Sequence, residues 1–215
     1  MNKKTFALLF FLLTIFVINS TIVFADSIQL PKPEMQKGKP LMQALKERKT
    51  TRSFSAKDIS LQELSNLLWA ACGVNRPDSG KRTVPSAHNW QPIDVYVARP
   101  DGLYFYDAHK NLLKQVLKED LRETLVVQDF TQIAPIDLIY VADYTKMKKG
   151  TEEQKQFYAA ADTGFISQNV YLYCASEGYA TVVRGGVDKP ALEKKMKLPV
   201  DKKVVLVQPV GYPEK

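Results

Sequence analysis

The chain contains little cysteine and little histidine. Its 215 residues include only two cysteines, Cys72 and Cys174, and two histidines. This excludes the disulfide framework of a small secreted domain, although one bridge is compatible with an oxidising compartment. Both cysteines lie in apolar stretches with helical spacing, and neither has the histidine partner that a cysteine nucleophile requires. We expect either two buried thiols or a single bridge, and no metal site.

The chain also lacks a basic stripe interleaved with aromatic residues. The net charge is +7, but the lysines occur in scattered groups that are typical of solvated helix faces and turns. This distribution argues against nucleic-acid binding. A small anionic ligand is a better match to a mildly basic chain of this kind.

One apolar run at the N-terminus has the layout of an export signal. Lys3 and Lys4 precede an uncharged, mostly apolar stretch over residues 6–18, and small residues lie near Ala25. We expect cleavage after Ala25 and an exported protein that is periplasmic, secreted or at the cell surface. The alternative is an uncleaved anchor, because residues 5–25 carry no charge and could span a bilayer core of about 30 Å. Only the anchor would place the protein on a membrane.

The rest of the chain is long enough for one domain with a substantial core. No internal repeat or low-complexity tract is present. Residues 26–39 are rich in proline and lysine and predict an extended N-terminal arm, and residues 40–215 form the predicted domain.

Helical periodicity is clear in three places. Leu41, Met42 and Leu45 have the spacing of one face of a short helix. Ser60 and Glu63 form a capping box at the start of a second helix, which ends at Gly73. Its predicted buried stripe consists of Leu64, Leu67, Leu68 and Ala71.

The longest predicted helix covers residues 152–177 and ends at Gly178. Several of its residues fall roughly on one side, namely Phe157, Ala161, Phe165, Gln168, Leu172 and Ala175.

Strand patterns alternate with these helices. Strands are predicted at 93–98, 103–107, 135–144, 179–186 and 203–213. Residues 135–144 are almost continuously apolar, which predicts a strand covered on both faces. Residues 111–126 look mainly helical, although 112–117 could instead extend the hairpin region. Together the elements predict an α+β sandwich of helices over a mixed sheet.

Three polar segments stand out, each where a helix or strand meets a loop. The first covers residues 48–54, in which Arg48, Thr50 and Arg52 alternate and would point to one side of an extended chain. Two guanidinium groups and a hydroxyl suit a phosphate. The alternative is a basic helix end that offsets the helix dipole.

The second polar segment covers residues 85–92. Pro85 and Pro92 hold the backbone extended. The donors and acceptors beside them are Ser86, His88, Asn89 and Gln91. They suit a heteroaromatic ligand with ring nitrogens and carbonyls, and the alternative is a loop whose side chains satisfy its own backbone. His88 is better read as a loop hydrogen-bonding group than as a base, because no acid or nucleophile accompanies it.

The third polar segment covers residues 182–186 and ends in Gly185 and Gly186, with Arg184 beside them. Two glycines at the end of a strand allow the backbone to approach a flat ligand closely. Adjacent glycines before Asp188 could equally form an ordinary turn.

Taken in order, these segments resemble the FMN-dependent nitroreductase family. The family pattern Arg-x-Ser-x-Arg/Lys-x-Phe is matched by RKTTRSF at 48–54, and Pro-Ser-x-x-Asn-x-Gln-Pro is matched by PSAHNWQP at 85–92. A long helix with Gln168 and Asn169 then leads to the VRGG sequence at 183–186. The resemblance covers roughly residues 40–213. It implies a three-layer sandwich with a mainly antiparallel sheet, and a homodimer with one FMN at each of two interface clefts.

The resemblance also implies roles for individual residues. The phosphate, the ribityl chain and the N1/C2 edge of the flavin would contact Arg48, Lys49, Thr50 and Arg52. The partner subunit would reach the same flavin through Pro85, Ser86, Ala87 and Asn89. The N5 edge would lie by Val183, Gly185 and Gly186. Arg184 would hold the phosphate in place of basic residues in the longer C-terminal tail of other family members, or FMN would bind more weakly.

The implied chemistry is ping-pong hydride transfer through flavin N5 to a nitroaromatic, a quinone or another small acceptor. Arg52 is the candidate catalytic residue, because a fixed cation at the N1/C2 edge favours the reduced flavin. NAD(P)H is the candidate donor, although it is scarce outside the cytoplasm. Two other functions are compatible with these residues: a non-catalytic protein that binds flavin or another aromatic anion, and a flavin-using dehydrogenase or flavin-degrading enzyme.

Overall fold

The computed structural model describes residues 26–125 and 134–214. The predicted export signal lies outside these ranges, as does Val126 at the end of the predicted 111–126 helix. The helices are α1 (Leu41–Glu47), α2 (Leu61–Cys72), α3 (Glu152–Glu177) and α4 (Lys189–Lys195). The strands are β1 (Ser27–Gln29), β2 (Val74–Arg76), β3 (Lys81–Arg82), β4 (Ile93–Arg99), β5 (Gly102–Asp107), β6 (Leu112–Leu117), β7 (Ile136–Asp143), β8 (Ala180–Thr181) and β9 (Lys202–Gly211).

Seven of these strands form one sheet in the order β1-β6-β5-β4-β7-β9-β8, and β2 pairs with β3 separately. Each described pair of neighbours is antiparallel, so no parallel pair occurs among the described strands. Strand β7 is central and all eight of its residues are buried, which confirms the prediction for 135–144. The α+β class is confirmed.

The alternation of side chains along β7 divides the core into two parts. Leu138 and Tyr140 belong to the cluster that α2 and α3 cover on one face of the sheet. Ile139 and Val141 belong to the cluster on the other face, where Leu192 of α4 packs. Helices on both faces of the sheet therefore make a three-layer sandwich.

Helix α2 forms as its sequence predicts. Ser60 Oγ accepts a hydrogen bond from the Glu63 backbone N–H at 3.3 Å, and the Glu63 carboxylate accepts one from the Ser60 N–H at 2.8 Å. Gly73 ends the helix, and the predicted stripe of Leu64, Leu67, Leu68 and Ala71 is buried.

Helix α3 begins and ends where the sequence predicts, but the side with the two phenylalanines faces outward. Phe157 is 68% exposed and Phe165 is 46% exposed. The buried side consists of Ala159, Asp162, Thr163, Ile166, Ser167, Val170, Tyr171 and Cys174. Within the described ranges, no helix combines the length and hydrophobicity needed to cross a bilayer.

Helix α1 likewise leaves its apolar side uncovered. Leu41, Met42 and Leu45 are all exposed, and the buried residue of this helix is Ala44. The protomer therefore presents apolar surface on both α1 and α3.

The prediction of a mainly helical segment at 111–126 was wrong, and its alternative was correct. Residues 112–117 form β6, which pairs with β5 on one side and with β1 of the N-terminal arm on the other. A short 3-10 turn follows at Arg122–Leu125. Pairing with β1 and β5 decides the conformation of this segment, and local periodicity does not reveal partners so far away in the sequence.

The strand predicted at 179–186 is also shorter than expected. Only Ala180–Thr181 form β8, and a single further bridge joins Arg184 to Val207 of β9. The chain leaves the sheet between these points, which places the third polar segment at the edge of the sheet.

The two cysteines do not form a bridge. Cys72 and Cys174 are both buried free thiols. Burial raises the pKa of Cys72 to about 11 and raises that of Cys174 as well. Both thiols are therefore protonated at neutral pH, as expected of residues that fill the core.

Candidate functional site

The hydroxyl of Tyr171 joins the first and third polar segments. Tyr171 lies on the buried side of α3, and its hydroxyl oxygen is 3.2 Å from Thr50 Oγ1. The same oxygen accepts a hydrogen bond from the Val183 backbone N–H at 3.0 Å. The Thr51 N–H also donates to the carbonyl of Thr181 at 3.0 Å. Two segments more than 130 positions apart in the sequence thus meet at one side chain.

Arg48 lies over the ring of Tyr171. Its guanidinium carbon is 5.4 Å from the ring centroid, within the range of a cation–π contact. Among the described residues, Arg48 takes part in no ion pair. Its charge is therefore oriented by the ring while its N–H groups have no carboxylate within the described protomer.

Lys49 faces away from this group. Because side chains alternate along an extended chain, Arg48 and Thr50 point toward Tyr171 while their neighbours point to the other side. Lys49 and Thr51 line a separate cavity of about 600 Å³ together with Gly178 and Tyr179. The structure therefore does not bring Lys49 to the other residues predicted from the first segment.

Arg184 is occupied elsewhere. Its Nη2 lies 2.8 Å from Asp137 Oδ1, and the two side chains are only 12% and 3% exposed. Burial raises the pKa of Asp137 to about 6, against the opposing effect of the Arg184 charge. Asp137 belongs to β7, so the guanidinium of Arg184 neutralises a buried acid of the sheet. This placement does not match a role in holding a phosphate.

Gly185 and Gly186 are exposed, and no contact among the described residues explains why they are glycines. An added Cβ at Gly186 would meet no atom within 4 Å, and at Gly185 it would meet only Leu206 at 3.4 Å. Neither has a positive φ. A close approach by something outside the protomer would explain the absence of a side chain.

The second polar segment is held by Asp162. The Ser86 hydroxyl donates to Asp162 Oδ2 at 2.7 Å, and the Ala87 N–H donates to Asp162 Oδ1 at 3.4 Å. The Gln91 N–H donates to Ser86 Oγ at 2.8 Å. Burial raises the pKa of Asp162, although these hydrogen bonds oppose the shift.

The two groupings lie at different points along α3. Asp162 and Tyr171 are nine residues apart, which corresponds to roughly 13 Å along a helix axis. Within this chain the first and third segments therefore meet, and the second segment contacts α3 about two and a half turns away from them.

Comparison with known proteins identifies the fold and the family. The family model for the nitroreductase family matches residues 45–212. A protein from Methanocaldococcus jannaschii named for the nitroreductases is 30% identical over 196 residues, covering 86% of this chain and 97% of its own. The chain belongs to the nitroreductase family.

Solved structures agree with this membership. A crystal structure from Ralstonia eutropha, also named for the nitroreductases, is 42% identical with a TM-score of 0.85, covering 88% of this chain and 90% of its own. The NADPH:FMN oxidoreductase from Vibrio harveyi, complexed with NAD+, shares the fold at 17% identity with a TM-score of 0.59, covering 81% of this chain and 69% of its own. Family membership makes this nitroreductase-family protein an oxidoreductase.

Two important residues of this family member were not predicted from the sequence, namely Tyr171 and Asp162. Both lie on the side of α3 that faces the core, where a hydroxyl and a carboxylate need partners. An acid at a core-facing position of a helix was the available signal. The sequence analysis missed this signal because it grouped the residues of α3 around Phe157 and Phe165, which lie on the exposed side of the helix.

Proposed function

We propose that this protein is an FMN-dependent oxidoreductase that works as a homodimer. In this proposal one protomer holds FMN with Arg48, Thr50 and Arg52 of its first polar segment and with Val183, Gly185 and Gly186 of its third. The partner contributes its second segment through Pro85, Ala87 and Asn89. The observation that carries the proposal is the meeting of the first and third segments at the Tyr171 hydroxyl, with Arg48 turned toward the same ring.

The residues at this point fit FMN chemically. Arg48 offers a guanidinium without an acidic partner in the described protomer, which suits a phosphate. Thr50 offers a hydroxyl, and the two exposed glycines allow the backbone to approach a flat ring. Because Lys49 and Arg184 point elsewhere, we assign the phosphate mainly to Arg48.

The exposed surface of α3 supports the dimer. Phe157, Phe165 and Gly164 lie on the outward side of this helix, and an added Cβ at Gly164 would meet no atom within 4 Å. Glycine inside a helix costs about 1 kcal/mol relative to alanine, and no contact in residues 26–125 and 134–214 accounts for Gly164. In a symmetric antiparallel crossing of two α3 helices near Gly164, the N-terminal half of each helix, which contains Asp162, would lie against the C-terminal half of its partner, which contains Tyr171.

The chemistry divides between cofactor and protein. Bound FMN supplies hydride transfer through N5. Arg52 would supply the cation near the part of the cofactor that gains negative charge on reduction, which would favour the reduced state. The glycines leave one side of the site accessible to a donor and then to a small acceptor, such as a nitroaromatic or a quinone, in ping-pong order. We propose NAD(P)H as a candidate donor, and an exported location makes another reductant an alternative.

The test uses residues 26–215. We expect a yellow protein with flavin absorbance and a native mass of two chains. Steady-state reduction of a nitroaromatic or quinone should follow ping-pong kinetics with NADPH or with a chemical reductant. A colourless protein that does not bind added FMN would overturn the cofactor. A yellow dimer with no turnover under either reductant would instead identify a flavin-binding protein without catalysis.

We also propose that the chain is exported and cleaved after Ala25. The support is the charged start, the apolar run and the small residues before this position. The full-length chain should be expressed with its leader and recovered from the exported fraction. Its intact mass should correspond to a chain that begins at Asp26. Recovery of uncleaved chain in membranes would favour an anchor.

A further inference from the structure

Asp162 is an acid on the buried side of a helix. Asp162 is 4% exposed. Among the described residues it takes part in no ion pair. Taking a carboxylate out of water is strongly unfavourable unless hydrogen bonds replace its hydration. The Ser86 hydroxyl at 2.7 Å and the Ala87 N–H at 3.4 Å do so here. The second polar segment is therefore what makes this buried charge tolerable.

The same segment contains an unusual amount of backbone strain. His88, Asn89 and Gln91 all have positive φ, at 52°, 53° and 48°. For residues other than glycine this conformation is unfavourable, and it persists only where the surroundings hold it. The segment therefore needs an anchor outside itself.

A chain of hydrogen bonds connects Asp162 to the strained residues. Ser86 Oγ donates to Asp162 and accepts from the Gln91 N–H at 2.8 Å, so it links both sides of the turn. The Gln91 side-chain amide then donates to Asn89 Oδ1 at 3.1 Å. Asn89 is itself exposed. The Gln91 side-chain amide also donates to the Gly80 carbonyl at 3.1 Å. The orientation of the Asn89 side chain thus depends on Gln91, whose side chain is held by Gly80 and whose backbone is held by Ser86 and Asp162.

We propose that Asp162 is a positioning residue that holds the second polar segment so that Asn89 is presented to the cofactor of the partner subunit. The inference rests on the proposed function. It changes the role of Ser86, whose hydroxyl hydrogen is directed to Asp162, from a cofactor contact to a second member of the positioning chain.

Two variants each break this series of hydrogen bonds. Asp162→Asn keeps the shape and removes one acceptor, and Ser86→Ala removes the linking hydroxyl. Thr163→Val is the matched control, because Thr163 is the next residue of α3, is buried, and donates its hydroxyl hydrogen within the helix, to the Ala159 carbonyl at 2.7 Å. Ser86→Thr keeps the hydroxyl and serves as the rescue variant.

The first measurement is amide hydrogen exchange of the FMN-free protein. We expect exchange of the Gln91 amide to accelerate at least about tenfold in Asp162→Asn and Ser86→Ala, because the bond that protects it is weakened or lost. The exchange of α2 should change little, and Thr163→Val and Ser86→Thr should protect Gln91 as wild type does.

The second measurement is FMN affinity by quenching of flavin fluorescence. We expect the dissociation constant to rise about tenfold in Asp162→Asn and in Ser86→Ala, and by no more in the double variant, because both changes break one chain. Unchanged exchange at Gln91 in both variants, or an equal effect of Thr163→Val, would overturn the proposal. If Asp162→Asn does not fold, Ser86→Ala with Ser86→Thr decides the question.

The outcomes separate this proposal from the proposed function. A wild-type protein that binds no FMN overturns the function, while exchange still reports whether Asp162 holds the segment. A wild-type protein that binds FMN, with variants that loosen Gln91 but bind FMN equally well, overturns the positioning role and leaves the function in place.

Discussion

Tyr171 and Asp162 of α3 hold different polar segments in different ways. The phenol of Tyr171 joins the first and third segments through uncharged hydrogen bonds. Nine residues earlier, the carboxylate of Asp162 holds the second segment through hydrogen bonds to a charged group. An uncharged hydrogen bond contributes about 1 kcal/mol, and one to a charged group contributes about 1.5–3 kcal/mol. The segment at the Asp162 end contains three residues with positive φ. The stronger anchor is therefore found where the backbone is more strained.

The difference also separates two kinds of polar residue in a binding site. Near Tyr171, Arg48 remains without an acidic partner in the described protomer and is suited to a ligand. Near Asp162, Ser86 is committed to the protein itself. Residue type alone does not distinguish these cases, because a hydroxyl or a guanidinium serves either purpose.

The largest effect should come from Arg184, which lies next to the Val183 amide that binds Tyr171. Arg184→Met leaves Asp137 buried without its partner, and we expect a loss of about 3–5 kcal/mol in unfolding free energy, measured by denaturant titration. The double variant Arg184→Met, Asp137→Leu should recover most of this loss. A stable single variant with weak FMN binding would instead support the phosphate role for Arg184.

The next largest effect tests the proposed interface between the α3 helices of two subunits. Gly164→Arg places two like charges in the proposed interface, and we expect the dimer dissociation constant to rise by about two orders of magnitude, with FMN affinity falling alongside. Analytical ultracentrifugation measures the first and fluorescence the second. Val200→Arg is the control, since Val200 is 80% exposed in the segment between α4 and β9. Gly164→Arg that stays dimeric would place the interface elsewhere.

A moderate effect is expected at Tyr171. Tyr171→Phe keeps the ring beneath Arg48 but leaves the Val183 N–H without its acceptor, which costs about 1–3 kcal/mol. We expect a lower thermal midpoint and FMN binding weakened about tenfold, because Thr50 and Val183 are no longer joined. Tyr173→Phe, two residues along the same helix, should leave FMN affinity unchanged. Equal affinities in both variants would remove Tyr171 from the site.

The smallest effect on stability is expected at Glu63 of α2, away from both Tyr171 and Asp162. Partial burial raises its pKa, but hydrogen bonds from Tyr212 and Ser60 outweigh this and lower the pKa to about 2 from an ordinary value of 4.5. Since the folded state binds this proton more weakly, the stabilisation is present above about pH 4.5 and is lost as the pH falls toward 2.

Because the side chain is only partly buried and solvent screens it, we expect this contribution to be about 1 kcal/mol. Glu63→Gln should flatten the acid limb of stability measured between pH 5 and pH 2. FMN affinity at pH 7 should not change. An acid limb identical to that of wild type would show that other carboxylates dominate it.

The sequence was a reliable guide wherever a local signal and the tertiary structure agree. The capping box at Ser60 and Glu63 and the glycine after α3 define helix ends through contacts within a few residues. The apolar run of β7 predicted a strand buried on both faces, and it is. The three motifs in order predicted the family, which the comparisons confirm.

Failures occurred where partners distant in the sequence decide the outcome. Residues 112–117 are a strand because β1 and β5 pair with them on either side. The pairing of Arg184 with Asp137 was not predicted, because the two residues are 47 positions apart in the sequence. Asp162 and Ser86 are 76 residues apart and could not be matched by spacing.

The order of elements, the ends of the main helices and the family motifs were thus determined by the sequence itself, since each depends on neighbouring residues or on the arrangement of short motifs. The partners of Arg184, Asp162 and Tyr171 were decided only by the tertiary structure. Hydrogen bonds and ion pairs act over about 3 Å, so which side chains share them depends on how distant segments pack.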